Sequence, residues 1–269
     1  MKFAALQMTS SAEVPANLRV AHGLVLEAAQ RGAVLVALPE NFAFMGLGDA
    51  DKLAVGETQG RGPIQEALAA MARAARVWLV GGTMPIKGAD PNKVAAASLL
   101  VGPDGALVAR YDKVHLFDVD VPGKTESHRE SRYIAPGSAP VVVATAAGRV
   151  GLSVCYDVRF PELFRRLARQ GMDGLVLPSA FTAPTGRAHW EILLRARAIE
   201  NQCWVVAPAQ SGFHANGRET YGDSMIIDHW GRVLARLPRG TGVVIADVDL
   251  AEQQMAREKF PALQHLRLD

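Results

Sequence analysis

Apolar and polar positions follow two rhythms along the first half of this chain, and the switching between them predicts a layered α/β arrangement. Phe3 to Met8 and Ala33 to Leu38 are short, nearly continuous apolar runs, as expected of strands covered on both faces. Between them, Val14 to Gln30 sets Leu18, Ala21, Val25 and Ala28 at helical spacing, so that stripe should lie on the sheet. Ser10, with Glu13 three residues later, has the form of a capping box for the start of this helix. The pattern then repeats, with a helix over Ile64 to Arg76 and a strand over Trp78 to Met84.

Farther on, Val94 to Val101 and Leu107 to Tyr111 flank Gly102-Pro103-Asp104-Gly105, whose turn chemistry predicts a hairpin. Val141 to Ala144 and Arg149 to Val154 flank a second short turn at Ala147-Gly148, and Pro161 has the fixed φ that suits a first helical turn. Further strands are expected near Gly174 to Leu177, Trp204 to Ala207, Ser224 to Asp228 and Val243 to Val248, with a helix from His189 to about Asn201. No linker, low-complexity tract or short-period repeat separates the halves, so residues 1–269 read as one domain, with a weak pseudo-symmetry between halves allowed.

Composition narrows the function. A chain of 269 residues with 49% hydrophobic content can bury a substantial core. With 29 basic and 27 acidic side chains, it has no electrostatic reason to seek nucleic acid or an anionic membrane, which leaves a small molecule as the expected partner. The two cysteines, Cys155 and Cys203, sit in apolar runs rather than in a spaced disulfide framework, which points to a reducing compartment. Met1 to Met8 is too short for a signal peptide or a membrane span, so a cytoplasmic location is expected.

Several motifs fall away on inspection. Gly123-Lys124-Thr125 resembles the end of a phosphate-binding loop, but Asp118 stands where its first glycine is needed. Gly151-Leu152-Ser153-Val154-Cys155 begins like a nucleophile elbow, yet Cys155 replaces the closing small residue, which makes Ser153 a poor nucleophile. The seven histidines lack the spacing of a metal site, so no metal or other cofactor is expected. Arg165, Arg166 and Arg169 read as the solvated face of one helix.

Three residues carry candidate chemistry. Cys155 follows the apolar run Val150 to Val154, so its thiol should emerge where strand gives way to loop and helix. Glu40, in Leu38-Pro39-Glu40-Asn41-Phe42, lies just after a strand in a partly apolar loop that suits a general base. Lys113 ends another expected strand and can supply a compact positive charge. Each also has an ordinary reading, as an inert buried thiol, a loop carboxylate and a strand-end charge.

Taken together, Leu38-Pro39-Glu40, Tyr111-Asp112-Lys113-Val114-His115-Leu116-Phe117, Cys155 to Leu163 and Ala188-His189-Trp190-Glu191 resemble the nitrilase (carbon-nitrogen hydrolase) superfamily, with a likeness running from Phe3 to the C-terminus. The resemblance implies a four-layer α-β-β-α sandwich. It implies a cysteine-dependent amidase in which Cys155 is the nucleophile, Glu40 the general base, and Lys113 with the Tyr156 backbone N–H the oxyanion site. It also implies a second glutamate near the site, matching Glu130, and a homodimer whose interface involves the helices near Pro161 and His189. Tyr156, Phe181 and His189 are the candidate substrate contacts. Within the superfamily the chain is similar to the branch of omega-amidase and deaminated glutathione amidase, with Pro178 to Phe181 and Gln202-Cys203 closer to the latter. Omega-amidase, N-carbamoyl hydrolase, nitrilase and idle scaffold readings stay open. Ala95, Ala96 and Arg187 depart from the branch's usual residues and are expected to bear on pocket shape.

Overall fold

A computed structural model describes residues 1–120 and 127–267; Gly123-Lys124-Thr125 lies outside them. Six α-helices occur among these residues: α1 (Val14–Gln30), α2 (Asp51–Ala54), α3 (Pro63–Ala75), α4 (Pro161–Arg169), α5 (Ala183–Asn201) and α6 (Leu250–Lys259). Two large sheets lie between the helices. In the first, strands Lys2–Gln7, Ala33–Ala37 and Trp78–Val80 run parallel side by side. In the second, Gly148–Leu152, Gly174–Val176 and Trp204–Ala207 do the same. Each parallel trio pairs with one antiparallel strand on one side and, on the other, with an antiparallel strand that itself pairs antiparallel with a further one; apart from Leu107–Asp112 and Ile134–Ala135, which add to the first sheet, the two sheets share one plan. That is the pseudo-symmetry the sequence allowed.

Strand alternation sorts side chains into layers. Ala4, Leu6 and Val36 pack with Ala21 and Val25 of α1 and with Leu68 and Met71 of α3. Phe3, Ala5 and Leu35, on the opposite face, share a cluster with Val150 and Trp204 of the second sheet, the Phe3 and Trp204 rings 4.6 Å apart, while Leu175 and Val205 on that sheet's other face extend the cluster to Phe164 of α4 and Trp190 and Leu194 of α5. The order is therefore helix, sheet, sheet, helix.

Most expected elements form where patterning put them, and the departures have local causes. The strand over Trp78 to Met84 is two strands, Trp78–Val80 and Met84–Lys87, broken at Gly81-Gly82-Thr83. Gly82 has φ +48°, and a Cβ there would lie 2.0 Å from the Pro39 carbonyl oxygen, so the break is the price of packing against the loop that carries Glu40. The capping box does not form: Glu13 is the N-cap of α1 and makes no side-chain cap bond. The Ser10 hydroxyl instead donates to the Phe42 carbonyl at 2.8 Å. Helix α5 begins at Ala183, six residues before the expected His189, with Thr182 as its N-cap and Pro184 in its first turn. No helix among the described residues is long and apolar enough to cross a membrane.

Candidate active site

Each of the three candidate residues stands just beyond the C-terminal end of a strand: Glu40 after Ala33–Ala37, Lys113 after Leu107–Asp112 and Cys155 after Gly148–Leu152. Ligand sites in open α/β sheets collect at this edge. The Glu40 main chain is fixed from across the fold, because Gln210 Nε2 donates to its carbonyl at 3.0 Å and to Ser10 Oγ at 2.7 Å. Asn41 then takes a left-handed φ of 56°, with its N–H bonded to Thr83 Oγ1.

Lys113 is the centre of the cluster. Its Nζ lies 2.9 Å from Glu40 Oε1 and 2.8 Å from Glu130 Oε2. The residue is 2% exposed, against 5% for Glu40 and 8% for Cys155. Burial works against its charge, but Glu130, Glu40 and Cys155 together hold the ammonium well above the ordinary lysine range. Burial likewise opposes ionisation of Glu130, and the charge of Lys113, followed by that of Lys52, brings its carboxyl below the usual value. Glu130 Oε2 also accepts the Phe117 N–H at 2.7 Å, which ties it to the segment following Lys113.

Cys155 opens a short 3-10 turn, Cys155–Arg159, with φ +47°, a conformation that non-glycine residues adopt at some cost. Its N–H donates to the Pro178 carbonyl at 2.9 Å. Burial, and after it the nearby Glu40 carboxylate, raises the thiol above the usual cysteine range, while Lys113 and an N–H from Ala180 pull the other way. The turn itself is braced by Asp157, fully buried, which accepts from Val154 N at 2.8 Å, Tyr111 Oη at 2.7 Å and His115 N at 3.0 Å. Asp157 thereby joins the cysteine turn to the strand that delivers Lys113.

Glu40, Lys113, Cys155 and Glu130 share a narrow cavity of about 40 Å³. Tyr156 and Phe181 stand in its wall as expected contacts. His189 does not: it is exposed on α5, one step removed, with Nδ1 3.3 Å from an Arg159 guanidinium nitrogen. The faces of α5 that bury Gly186, Trp190 and Leu194 leave His189 outward, so it reaches the cavity only through Arg159. Arg159 does line the cavity, over the rings of Phe181 and Tyr156 at 5.4 and 5.9 Å. Lys52 and Arg218 line it as well, and sequence patterning gave no signal for either. Ala95, Ala96 and Arg187 do not line it; the nearest link is the Lys113 N–H donating to the Ala96 carbonyl.

The remaining candidates settle into structural places. Ser153 is fully buried with its hydroxyl on the Val176 carbonyl at 3.1 Å. Cys203 is buried beside the Arg197 carbonyl, and burial pushes its thiol up to about 12. Arg165, on α4, reaches the Glu200 carbonyl. Among the described residues no group of histidine, cysteine, aspartate and glutamate is arranged to hold a metal ion.

A family model for carbon-nitrogen hydrolases matches residues 2–258. The chain belongs to the carbon-nitrogen hydrolase family. It is 46% identical over 266 residues to a deaminated glutathione amidase of Synechocystis sp., covering 97% of this chain and 96% of that protein. It is 44% identical over 270 residues to the Homo sapiens deaminated glutathione amidase, covering 99% of this chain and 82% of the relative. Among solved structures, Saccharomyces cerevisiae Nit3, a member of branch 10 of the nitrilase superfamily, superposes with a TM-score of 0.89 at 29% identity, covering 100% of this chain and 97% of that one. The enzyme is thus a carbon-nitrogen hydrolase with the nitrilase fold, and relatives similar to it over nearly the whole chain are named as amidases.

Proposed function

We propose that this enzyme hydrolyses deaminated glutathione to α-ketoglutarate and cysteinylglycine through a thioester on Cys155. The observation that carries the chemistry is an ammonium, Lys113, held between two carboxylates beside a buried thiol at the base of a cavity. The names of the relatives support the substrate. So does Arg159, a cation in the cavity wall that pairs with no carboxylate among the described residues and suits the carboxylate of the acyl half.

In this reading Glu40 takes the Cys155 proton as the sulfur attacks the amide carbonyl carbon. The C–S bond forms, and the carbonyl electrons move onto oxygen. Lys113 and the Tyr156 N–H, at the start of the 3-10 turn where no intrahelical acceptor exists, stabilise that oxyanion. Glu40 returns the proton to the amide nitrogen, the C–N bond breaks and cysteinylglycine leaves. Glu40 then deprotonates a water that attacks the thioester, releasing α-ketoglutarate and restoring the thiol. Glu130 positions Lys113 through the contact of its two oxygens with Nζ, at 3.1 and 2.8 Å. The reaction needs no cofactor, since nucleophile, base and electrophile are all side-chain or main-chain groups.

The enzyme acts as one domain, in the cytoplasm, and as a homodimer. For the dimer, α5 exposes Ile192 and Ile199, and Trp230 and Phe260 are exposed close by, their rings 6.2 Å apart. Such apolar exposure suits a second copy. The substrate is tested by measuring α-ketoglutarate release from deaminated glutathione and from α-ketoglutaramate. Preference for the first by an order of magnitude or more in kcat/KM is expected; the reverse preference would make the enzyme an omega-amidase.

A further inference from the structure

The cavity holds more positive charge than its carboxylates neutralise. Glu40 and Glu130 are committed to Lys113, whereas Lys52, Arg159 and Arg218 pair with no carboxylate among the described residues. These three cations are not equivalent in position. Arg159 lines the inner cavity alone, while Lys52 and Arg218 also line a wider vestibule of about 600 Å³ outside it. Arg218 comes from the loop between the paired strands Ser211–Phe213 and Glu219–Tyr221. Its Nη2 donates to the Ala180 carbonyl, which orients the guanidinium, and its Nε is buried with no acceptor. The guanidinium thus reaches the cavity and the vestibule with no carboxylate partner among the described residues, and a carboxylate is the group whose geometry suits it. Asp49 lines both the cavity and the vestibule, and Glu219 the vestibule. Asp49 is exposed and Glu219 half-buried, so water screens them.

We propose that Arg218 and Lys52 form a subsite for a carboxylate on the leaving-group side of the scissile amide. Arg159 stands on the acyl side. The enzyme then selects amides in which both halves are acids, and cysteinylglycine, with its terminal carboxylate, is such a leaving group. This inference rests on the deaminated glutathione reading. An amide whose leaving group is ammonia leaves the subsite empty.

Because the charge of Lys52 also reaches Glu130, the test is a double-mutant cycle on substrate and enzyme together rather than a single variant. Wild type, Lys52→Met, Arg218→Gln and Arg218→Lys are assayed on deaminated glutathione and on its analogue with the glycine carboxylate amidated. Amidation is expected to lower wild-type kcat/KM by about 10- to 100-fold, chiefly through KM. It should cost Lys52→Met and Arg218→Gln less than about threefold, with Arg218→Lys between; thermal melts confirm folding. If amidation costs the variants as much as wild type, or costs wild type nothing, the subsite is wrong while the substrate reading stands. Wild type that cleaves α-ketoglutaramate but neither dipeptide substrate would overturn the substrate reading and the subsite with it.

Discussion

Replacing Lys113 with methionine removes the one cation that separates two buried carboxylates, with little change in side-chain length. Glu40 and Glu130, 2.9 and 2.8 Å from Nζ in the native enzyme, would then lose their shared ion pair, with only the more distant charge of Lys52 left to Glu130. Breaking a buried pair in this way costs about 3–5 kcal/mol of stability. The pH dependence should invert as well. In the native protein the Glu130 carboxyl lies below its ordinary value of 4.5. Its contribution is therefore fully present above that value and fades as pH falls through the lowered folded pKa, so this contribution is flat between about pH 5 and 7. In Lys113→Met the carboxylates repel one another and one is held protonated, with its folded pKa above the unfolded one. The folded state then binds the extra proton, and stability falls as pH rises, by up to about 1.4 kcal/mol per pH unit, or roughly 2–3 kcal/mol from pH 5 to 7. Urea denaturation of both proteins at several pH values reads this directly. Amide hydrolysis by the variant should fall by at least about 100-fold through loss of the oxyanion partner. A variant within about 1 kcal/mol of wild type at pH 7, with the same pH slope, would refute the buried-pair reasoning.

Two further substitutions test how the site is positioned. Gly82→Ala places a Cβ 2.0 Å from the Pro39 carbonyl oxygen at φ +48°, and should cost about 2–4 kcal/mol in denaturant titrations while lowering kcat through the displaced Glu40 loop. Asp157→Asn turns an amide N–H₂ toward the donors now served by the carboxylate, so a loss of about 1–3 kcal/mol is expected, together with a fall in kcat larger than any rise in KM. Unchanged kcat in Asp157→Asn would show that the bridge between the cysteine turn and the Lys113 strand does not position them.

How much of this was legible in the sequence depended on whether the signal was local. Helix α1 runs over Val14–Gln30 as its apolar spacing indicated, and the hairpin joining Val94–Val101 to Leu107–Asp112 forms around its turn residues. Where a side chain had a long-range use, local rules misled: Ser10 looked like a helix cap because the Phe42 carbonyl and Gln210, far away in sequence, are invisible to a pattern read four residues at a time. Helix α5 was expected from His189, yet it begins at Ala183, with Pro184 in its first turn and Gly186 where a Cβ would meet Tyr221 at 2.2 Å. Glu40, Lys113 and Cys155 each had an ordinary reading alone and were singled out by the resemblance of their flanking segments; the fold brings all three to one cavity. Lys52 and Arg218 come from a four-residue helix and a short hairpin loop with no periodic signature, and only the folded chain brings them to one wall.

The central claim is that Cys155 becomes acylated during turnover. It is tested most directly by mixing enzyme with excess deaminated glutathione, quenching in acid within the first turnovers and mapping the protein by peptide mass spectrometry. The account predicts an α-ketoglutaryl thioester on the peptide containing Cys155, absent from a folded Cys155→Ala variant that releases no product. Steady product release with no adduct on Cys155, or turnover by Cys155→Ala, would contradict it.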